Sequence, residues 1–308
     1  MPKQKLLLGC SGEGLARRAS IPEIFALLRE AGFQSVDFWL YLYSLEPDQP
    51  MLQSGWQDWV RKLAALYREN GLTAAQIHGM LNIYIPEDFH TTTPGPASHR
   101  NLEASRMLGC ERIVFHPAFY VGRVCTEDLR QRILDYNIRW FTPLMQTAKD
   151  CGVRIQLENT FDFAHVQQPG DPTWPFTTAE DLLYLADALG PQAEICLDTG
   201  HAHISRQDIP AMIRRFGPRL QSIHLNDNVG PLAEPCPDLH MFPGTGTIDW
   251  KPVFAALAET GYRGVLDLEP TGAMARAPEC LWRSQLRTGL RDLRTLATEA
   301  GLETEVTP

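Results

Sequence analysis

The chain has 308 residues, of which 44% are hydrophobic and 21% charged. This composition is typical of a soluble globular protein, and the length allows one large barrel or two ordinary domains. A net charge of −9 at pH 7 counts against nucleic acid as a partner, because phosphate contacts need basic patches, and no apolar segment approaches the roughly 18 residues that would span a membrane.

Eight short apolar runs alternate with eight longer amphipathic segments, the pattern of strands followed by helices. In chain order the predicted strands are KLLLGC, FQSVDFWL, LTAAQIHG, CERIVFHP, GVRIQLEN, AEICLDTG, LQSIHLND and RGVLDLEP. The predicted helices are IPEIFALLREAG, WQDWVRKLAALYRENG, ASHRNLEASRMLGC, EDLRQRILDYNIRWFTPLMQTAKDCG, TAEDLLYLADALG, DIPAMIRRFG, WKPVFAALAETG and ECLWRSQLRTGLRDLRTLATEAG.

This alternation, with no linker or low-complexity tract, predicts an α/β fold: a single (β/α)8 TIM barrel domain over residues 1–308. A doubly wound sheet with fewer strands is the competing architecture. No G-x-G-x-x-G motif follows the first strand, so a dinucleotide site has little support.

Six predicted strands end in a side chain that can bind a metal ion. These residues are His78, His116, Glu158, Asp198, His224 and Glu269. In a barrel such strand ends surround one mouth, where the active sites of this architecture lie. A single histidine at a strand end is more often structural, but the joint pattern predicts a metal site. The mixed carboxylate and imidazole set suits a divalent Mn, Co, Mg or Zn ion.

The loop after the seventh predicted strand adds Asp238 and His240 to this set. Two residues apart, they would point the same way from an extended segment; the alternative is a polar surface loop. The glycine-rich turn at Gly244–Gly246 is expected to be a tight turn rather than a phosphate cradle, with Thr247 or Asp249 capping the next helix.

The segments LENT, LDTGHAHI, IHLNDN, DLHMFPGTGTIDW and LDLEP resemble the xylose isomerase-like barrel superfamily. That superfamily groups sugar isomerases and epimerases with apurinic-site endonucleases, and the resemblance covers nearly the whole chain. In the ketose epimerase and inosose isomerase branch it implies one divalent ion held by Glu158, Asp198, His224 and Glu269, with His201 contacting substrate or supporting the ligands.

In the endonuclease IV branch the resemblance implies three zinc ions and nine ligands. All nine have candidates, because His78, His116, His201, Asp238 and His240 complete the set. The acidic charge and the form FPGTGTIDW favour the sugar branch. So do the aromatic loops FWLYLYSLEPDQPMLQSGWQDW and FDFAHVQQPGDPTWPF, which contain no lysine or arginine and suit a small carbohydrate. Alternatively, these aromatics pack the loops or form the interface of a homodimer.

The resulting hypothesis is a metal-dependent isomerase or epimerase of a keto-sugar or inosose. The metal ion would stabilise an enediolate while Glu158 and Glu269 transfer the proton, with His116 and His201 supporting ligands or substrate. Two alternatives remain open: a dehydratase or eliminase acting on a keto-polyol or keto-glycoside, and a zinc-dependent apurinic-site endonuclease. A barrel that serves only as a scaffold is disfavoured because no ligand is missing.

Seven cysteines are scattered along the chain without a C-x-x-C pair. An odd number without regular spacing is typical of free thiols rather than of a disulfide framework. We therefore expect a cytoplasmic protein without disulfide bonds.

Overall fold

The computed structural model describes residues 5–81, 83–90, 93–120, 125–161, 174–230 and 238–305. Within these ranges eight parallel strands pair in chain order, and the last pairs with the first to close a barrel. The strands are β1 (Leu8–Ser11), β2 (Ser35–Trp39), β3 (Ile77–His78), β4 (Arg112–Phe115), β5 (Arg154–Glu158), β6 (Ala193–Asp198), β7 (Leu220–Leu225) and β8 (Leu266–Leu268). The predicted (β/α)8 architecture is confirmed.

The α-helices of the described residues surround this barrel. They are α1 (Ile21–Ala31), α2 (Trp56–Glu69), α3 (Pro96–Met107), α4 (Glu127–Cys151), α5 (Ala179–Leu189), α6 (Thr199–Ile204), α7 (Ile209–Phe216), α8 (Trp250–Glu259), α9 (Thr271–Arg276) and α10 (Trp282–Glu299). The short helices α6 and α9 were not predicted, because six residues are too few to show a helical period. Both begin where a strand has just ended, at the mouth of the barrel.

Helix ends follow capping residues that can be read in the sequence. Ser20 and Glu23 form a reciprocal capping box at the start of α1, and Gly32 ends that helix with φ 105°. The Thr126 side chain accepts a hydrogen bond from the Leu129 backbone at the start of α4. These local signals explain why the helix boundaries lie within a few residues of those predicted.

Strand β3 is much shorter than the apolar run that predicted it. The preceding Thr73 makes only an isolated bridge to Ser35. Moreover, the backbone N–H of Ala75 donates to the Ser35 hydroxyl at 3.1 Å instead of to a neighbouring strand. A side chain of β2 thus takes the place of a ladder bond, and regular pairing is confined to Ile77 and His78.

Register brings side chains at the strand ends side by side. Asp198 of β6 pairs with His224 of β7, and Glu158 of β5 pairs with Cys196 of β6. At the other end of the strands, Glu194 accepts from Arg112 at 3.2 Å and from Arg154 at 2.7 Å. Polar side chains are therefore collected at the C-terminal mouth, and ion pairs lie at the opposite end.

Two further expectations are met within the described residues. The six cysteines there, Cys10, Cys110, Cys125, Cys151, Cys196 and Cys280, are free. In the same part of the chain, none of the helices has the length and apolar character needed to cross a membrane.

Candidate active site and metal ligands

Four of the predicted ligands converge at the mouth of the barrel. Glu158 and Asp198 are the last residues of β5 and β6, His224 lies in β7, and Glu269 directly follows β8. All four are buried. Each offers one ligand atom, and these atoms lie within 4.8 Å of one another.

Two atoms of this four-residue group are buried without a hydrogen-bond partner among the described residues: Glu158 Oε2 and His224 Nδ1. Burying an unpaired polar atom is costly, by roughly 1–3 kcal/mol. His224 Nδ1 also lies 3.2 Å from Glu158 Oε1 and 3.7 Å from Glu269 Oε2. A divalent cation between these atoms would satisfy them together, so the residues present fit a metal ion.

The orientation of His224 is set by a residue that sequence reasoning missed. Its Nε2 lies 3.0 Å from Asp37 Oδ2, and the same oxygen accepts from Gln76 Nε2 at 2.7 Å. With its proton on Nε2, the imidazole presents Nδ1 to the four-residue group. The sequence signal that could have identified Asp37 is its position as a lone aspartate within the apolar run of β2. A charged side chain in such a strand can face the barrel interior.

Asp198 is held by neighbouring amides. Asn159 accepts from the Asp198 backbone N–H at 2.7 Å and donates to its carbonyl at 2.9 Å. Asn226 donates to Asp198 Oδ2 at 2.5 Å, and Asp198 Oδ1 accepts from the His201 backbone at the start of α6 at 2.6 Å. A Cβ at Gly200 would overlap Asn226 Oδ1, so this close packing requires glycine.

A second group of three, on the β3 and β4 side, shares Glu158. His116 Nε2 lies 3.0 Å and His78 Nε2 3.3 Å from Glu158 Oε2. Neither contact counts as a hydrogen bond, since Glu158 Oε2 has no such partner among the described residues. His78, His116 and Glu158 also offer ligand atoms within 4.8 Å of one another.

The remaining predicted residues lie on the other side of the mouth. Asp238 Oδ2 lies 2.8 Å from His240 Nε2 and 3.3 Å from His201 Nε2. His240 Nδ1 is 3.1 Å from Glu269 Oε2. All nine candidates therefore form one continuous cluster, including the two from the loop after β7.

Burial opposes ionisation throughout this cluster, and neighbouring charges decide the outcome for each group. Burial alone would raise the pKa of Glu158, but the charges of His116 and His224 hold it well below its usual range. Burial raises the pKa of Asp198 to about 7. Burial would lower the pKa of His224, yet the carboxylates around it, Glu269 among them, raise it well above the ordinary histidine value. A cation that binds here would therefore have to displace protons.

A cavity of about 250 Å³ opens onto this cluster, slightly smaller than the roughly 300–1,000 Å³ typical of small-molecule pockets. Seven of the residues predicted as site candidates line this cavity: His78, His116, Glu158, His201, Asp238, His240 and Glu269. Glu13, Tyr41, Leu81, Phe161 and Thr271 complete the described lining, which contains no lysine or arginine. The size and polarity of the cavity suit a small polar molecule.

Glu13 and Tyr41 were not predicted as site residues. The Tyr41 hydroxyl donates to Glu13 Oε1, and the Tyr41 ring meets His78 edge-on with ring centroids 5.5 Å apart. Burial and then the Glu13 charge raise the pKa of Tyr41 well above its usual value, so the hydroxyl keeps its proton. Glu13 follows β1 in the segment GCSGEG, where a single carboxylate in a glycine-rich turn gives no signal of a site residue.

The aromatic loop after β2 serves mainly to pack the protein. Tyr43 stacks on Phe38 and also contacts Trp59 at 4.9 Å between ring centroids. Tyr41 is the member of this loop that reaches the cavity. In the predicted loop after β5, Phe161 lines the cavity, whereas residues 162–173 lie outside the described part of the chain.

The glycine-rich turn after β7 is organised by Asp227. Its carboxylate accepts from the backbone N–H groups of Gly244 at 2.9 Å and Ile248 at 3.1 Å, and from Trp250 Nε1 at 2.9 Å. Asp249 caps α8. The expected tight turn is thus present, and the Asp227 carboxylate accepts the hydrogen bonds that hold it.

A closed (β/α)8 barrel with carboxylates and imidazoles at its C-terminal mouth defines the class of this protein. Residues 25–293 match the family model described as xylose isomerase-like TIM barrel. The chain belongs to this family, which confirms the resemblance carried by its strand-end motifs.

Similar proteins include uncharacterized ones and an enzyme. A Methanocaldococcus jannaschii protein is 28% identical over 171 residues, 54% of this chain and 53% of that protein. One from Mycobacterium tuberculosis is 28% identical over 233 residues, 71% of this chain and 76% of that protein. D-psicose 3-epimerase of Enterocloster bolteae is 26% identical over 136 residues, 43% of this chain and 38% of the enzyme. The chain thus spans about half the length of the first relative and less of the enzyme.

Solved structures share the whole architecture. A D-tagatose 3-epimerase-like protein superposes with a TM-score of 0.71 at 18% identity, covering 96% of this chain and 98% of that chain. The 3-keto-D-glucoside 4-epimerase of E. coli gives a TM-score of 0.67 at 18% identity, covering 94% and 100%. At such identity the likeness establishes the fold.

Proposed function

We propose that the protein is a divalent-metal-dependent isomerase or epimerase of a keto-sugar or inosose. The observation that carries the proposal is the buried four-residue group of Glu158, Asp198, His224 and Glu269, whose ligand atoms lie within 4.8 Å of one another beneath a small polar cavity. Partial similarity to a D-psicose 3-epimerase supports the same substrate class.

These four residues would hold a Mn, Co, Mg or Zn ion. Three carboxylates and one imidazole form an oxygen-rich set, which favours Mn, Co or Mg. Such an ion would supply Lewis acidity towards a carbonyl and its adjacent hydroxyl.

Glu158 and Glu269 are the proposed acid and base. They lie at the ends of β5 and β8, separated by β6 and β7, so they reach a bound sugar from different sides. One carboxylate takes the proton from the carbon beside the carbonyl. The other carboxyl group, protonated at the start, gives its proton to the opposite face, which yields an epimer, or to the neighbouring carbon, which yields an isomer; the first carboxylate is left protonated. Such transfer contributes typically 10²- to 10⁴-fold to the rate.

The histidines around Glu158 prepare it for this role. His116 Nε2 approaches Glu158 Oε2 to 3.0 Å, and burial lowers the pKa of His116. His116 therefore lies directly against the carboxylate that is proposed to transfer the proton. The same proton abstraction would also serve a dehydratase or eliminase if the intermediate expelled a leaving group.

A second candidate function is favoured by one observation. The nine candidate ligands form contiguous groups, as expected for the three-zinc endonuclease branch. An apurinic-site endonuclease would contain close to three zinc ions per chain and would cleave abasic DNA. The acidic composition and the absence of lysine and arginine from the described cavity lining weigh against it.

The test combines metal content with turnover. Elemental analysis of protein purified without added metal or chelator should find about one ion per chain, and NMR in D₂O should show deuterium entering one carbon of a ketose or inosose. Glu158→Gln should reduce turnover by about 10²-fold or more, whereas Glu87→Gln, an exposed control, should not. Full activity of Glu158→Gln would refute the proposal, and three zinc ions with abasic-DNA cleavage would replace it.

A further inference from the structure

Glu13 and Tyr41 form a hydrogen-bonded pair on the cavity wall, on the β1 and β2 side of the four-residue group. The Tyr41 hydroxyl donates to Glu13 Oε1, and both side chains line the cavity. A carboxylate has about four acceptor positions, so this one bond leaves most of the Glu13 capacity free. The Tyr41 oxygen can also accept one further hydrogen bond.

The turn that carries Glu13 is packed on both sides. A Cβ at Gly12 would meet the Trp39 ring at 2.7 Å, and a Cβ at Gly14 would overlap the backbone carbonyl of Thr271 at the start of α9. The Glu13 backbone N–H donates to the Ser11 hydroxyl at 3.3 Å. Such close backbone contact holds the carboxylate in place before a ligand arrives, which lowers the entropic cost of binding.

The charge of the cavity restricts what can bind beside this pair. Glu13 faces the same cavity as Glu158, Asp238 and Glu269, and the described lining includes no lysine or arginine. A phosphate group would therefore meet several carboxylates and, within the described lining, no lysine or arginine. Hydroxyl groups are instead good donors to carboxylates, and the Phe161 and Leu81 side chains offer apolar contact to the C–H face of a sugar.

We propose that Glu13 and Tyr41 form a recognition subsite for the hydroxyl groups of an uncharged polyhydroxy ketone, and that this subsite discriminates against sugar phosphates. The inference rests on the proposed function and makes it more specific. Glu13 accepts substrate hydroxyls remote from the reacting carbonyl, and Tyr41 fixes the carboxylate and offers its own oxygen. Neither residue takes part in proton transfer.

The test measures binding separately from turnover. Isothermal titration calorimetry on the Mn²⁺-loaded full chain would use D-fructose, D-psicose, D-tagatose and L-ribulose, with D-fructose 6-phosphate as the charged probe. Wild type, Glu13→Gln and Tyr41→Phe would be compared with Glu46→Gln, which removes the same charge at an exposed position outside the cavity. Metal content of each variant checks that the four-residue group is intact.

We expect at least one neutral ketose to bind the wild type at least tenfold more tightly than the phosphate. Glu13→Gln should weaken that binding roughly 10- to 100-fold, reduce the preference over the phosphate, and leave metal content unchanged. Tyr41→Phe should show a smaller loss, and Glu46→Gln none. An unchanged preference in Glu13→Gln, or tighter binding of the phosphate by wild type, would overturn the inference. Neutral ketose binding without turnover of any substrate would instead count against the proposed function alone.

Discussion

His224 illustrates how much a single site residue depends on its partners. It is fully buried, and its two ring nitrogens face different groups: Nε2 meets Asp37 and Nδ1 faces Glu158 and Glu269. Asp37 in turn is held by Gln76. Metal-binding histidines commonly rely on such a carboxylate to fix the tautomer and the ring orientation. Asp37 is therefore a positioning residue for the proposed metal site.

The Asp37→Asn substitution tests whether Asp37 positions His224 for metal binding. The substitution keeps the shape but removes the negative charge that holds the His224 proton, so Mn²⁺ affinity should fall about 10- to 100-fold. Competition with a chromogenic chelator measures the affinity, and Asp58→Asn on the exposed face of α2 is the control. Equal affinity in both variants would contradict the positioning role.

Metal binding should also release protons. Because the pKa of metal-free His224 lies well above its ordinary value, and that of Asp198 at about 7, both groups carry protons at or below neutral pH. A cation must displace these protons, so its apparent affinity should rise as the pH is raised through 7 and fall below it. Calorimetry at pH 7 in two buffers of different ionisation enthalpy checks this. Identical heats in both buffers would exclude net proton release.

At the scale of elements, the loop between β7 and α8 determines whether Asp238 and His240 reach the cluster. Asp227 holds this loop with three hydrogen bonds to Gly244, Ile248 and Trp250, and its backbone pairs with Met241 in both directions at 2.8 and 2.9 Å. A Cβ at Gly246 would overlap the Asp227 carboxylate. The glycine residues of this turn therefore allow the backbone to pack closely around the buried Asp227 carboxylate.

Asp227→Ala should lower the free energy of unfolding by about 3 kcal/mol, because it leaves several buried donors without an acceptor. Urea denaturation monitored by tryptophan fluorescence measures the change. Asp249→Ala, which removes only the cap of α8, should cost about 1 kcal/mol. If the two variants were equally stable, the organising role of Asp227 would be wrong.

At the scale of the whole molecule, the barrel gathers carboxylates, imidazoles and buried polar atoms at its C-terminal mouth. Glu158 Oε2, His224 Nδ1 and Asn226 Oδ1 lack hydrogen-bond partners within the described part of the chain. Such an arrangement opposes stability unless a ligand compensates it. The proposed homodimer and cytoplasmic location remain predictions on which this geometry does not bear.

Removing the metal should therefore destabilise the entire fold. A ligand at 100 times its dissociation constant contributes about 2.7 kcal/mol, so EDTA should lower the melting temperature by a few degrees, and excess Mn²⁺ should restore it. Differential scanning calorimetry measures both shifts. Glu158→Gln, which lacks one proposed ligand, should respond much less. An EDTA response equal to that of wild type in this variant would place the stabilising ion elsewhere.

The sequence by itself determined the order of strands and helices and placed six candidate metal ligands at strand ends. It could do so because hydrophobic periodicity is local and parallel strands in a barrel end at the same mouth. The segments LDTGHAHI and DLHMFPGTGTIDW also indicated His201, Asp238 and His240 as candidate site residues.

Only the tertiary structure decided which atoms face one another. Asp37 and Glu13 belong to segments distant along the chain from their partners His224 and Tyr41, and no periodicity encodes such pairs. The short length of β3 depends likewise on a side chain of β2. Barrel closure brings these residues together, because it sets the register between strands, and register decides which inward-facing side chains meet.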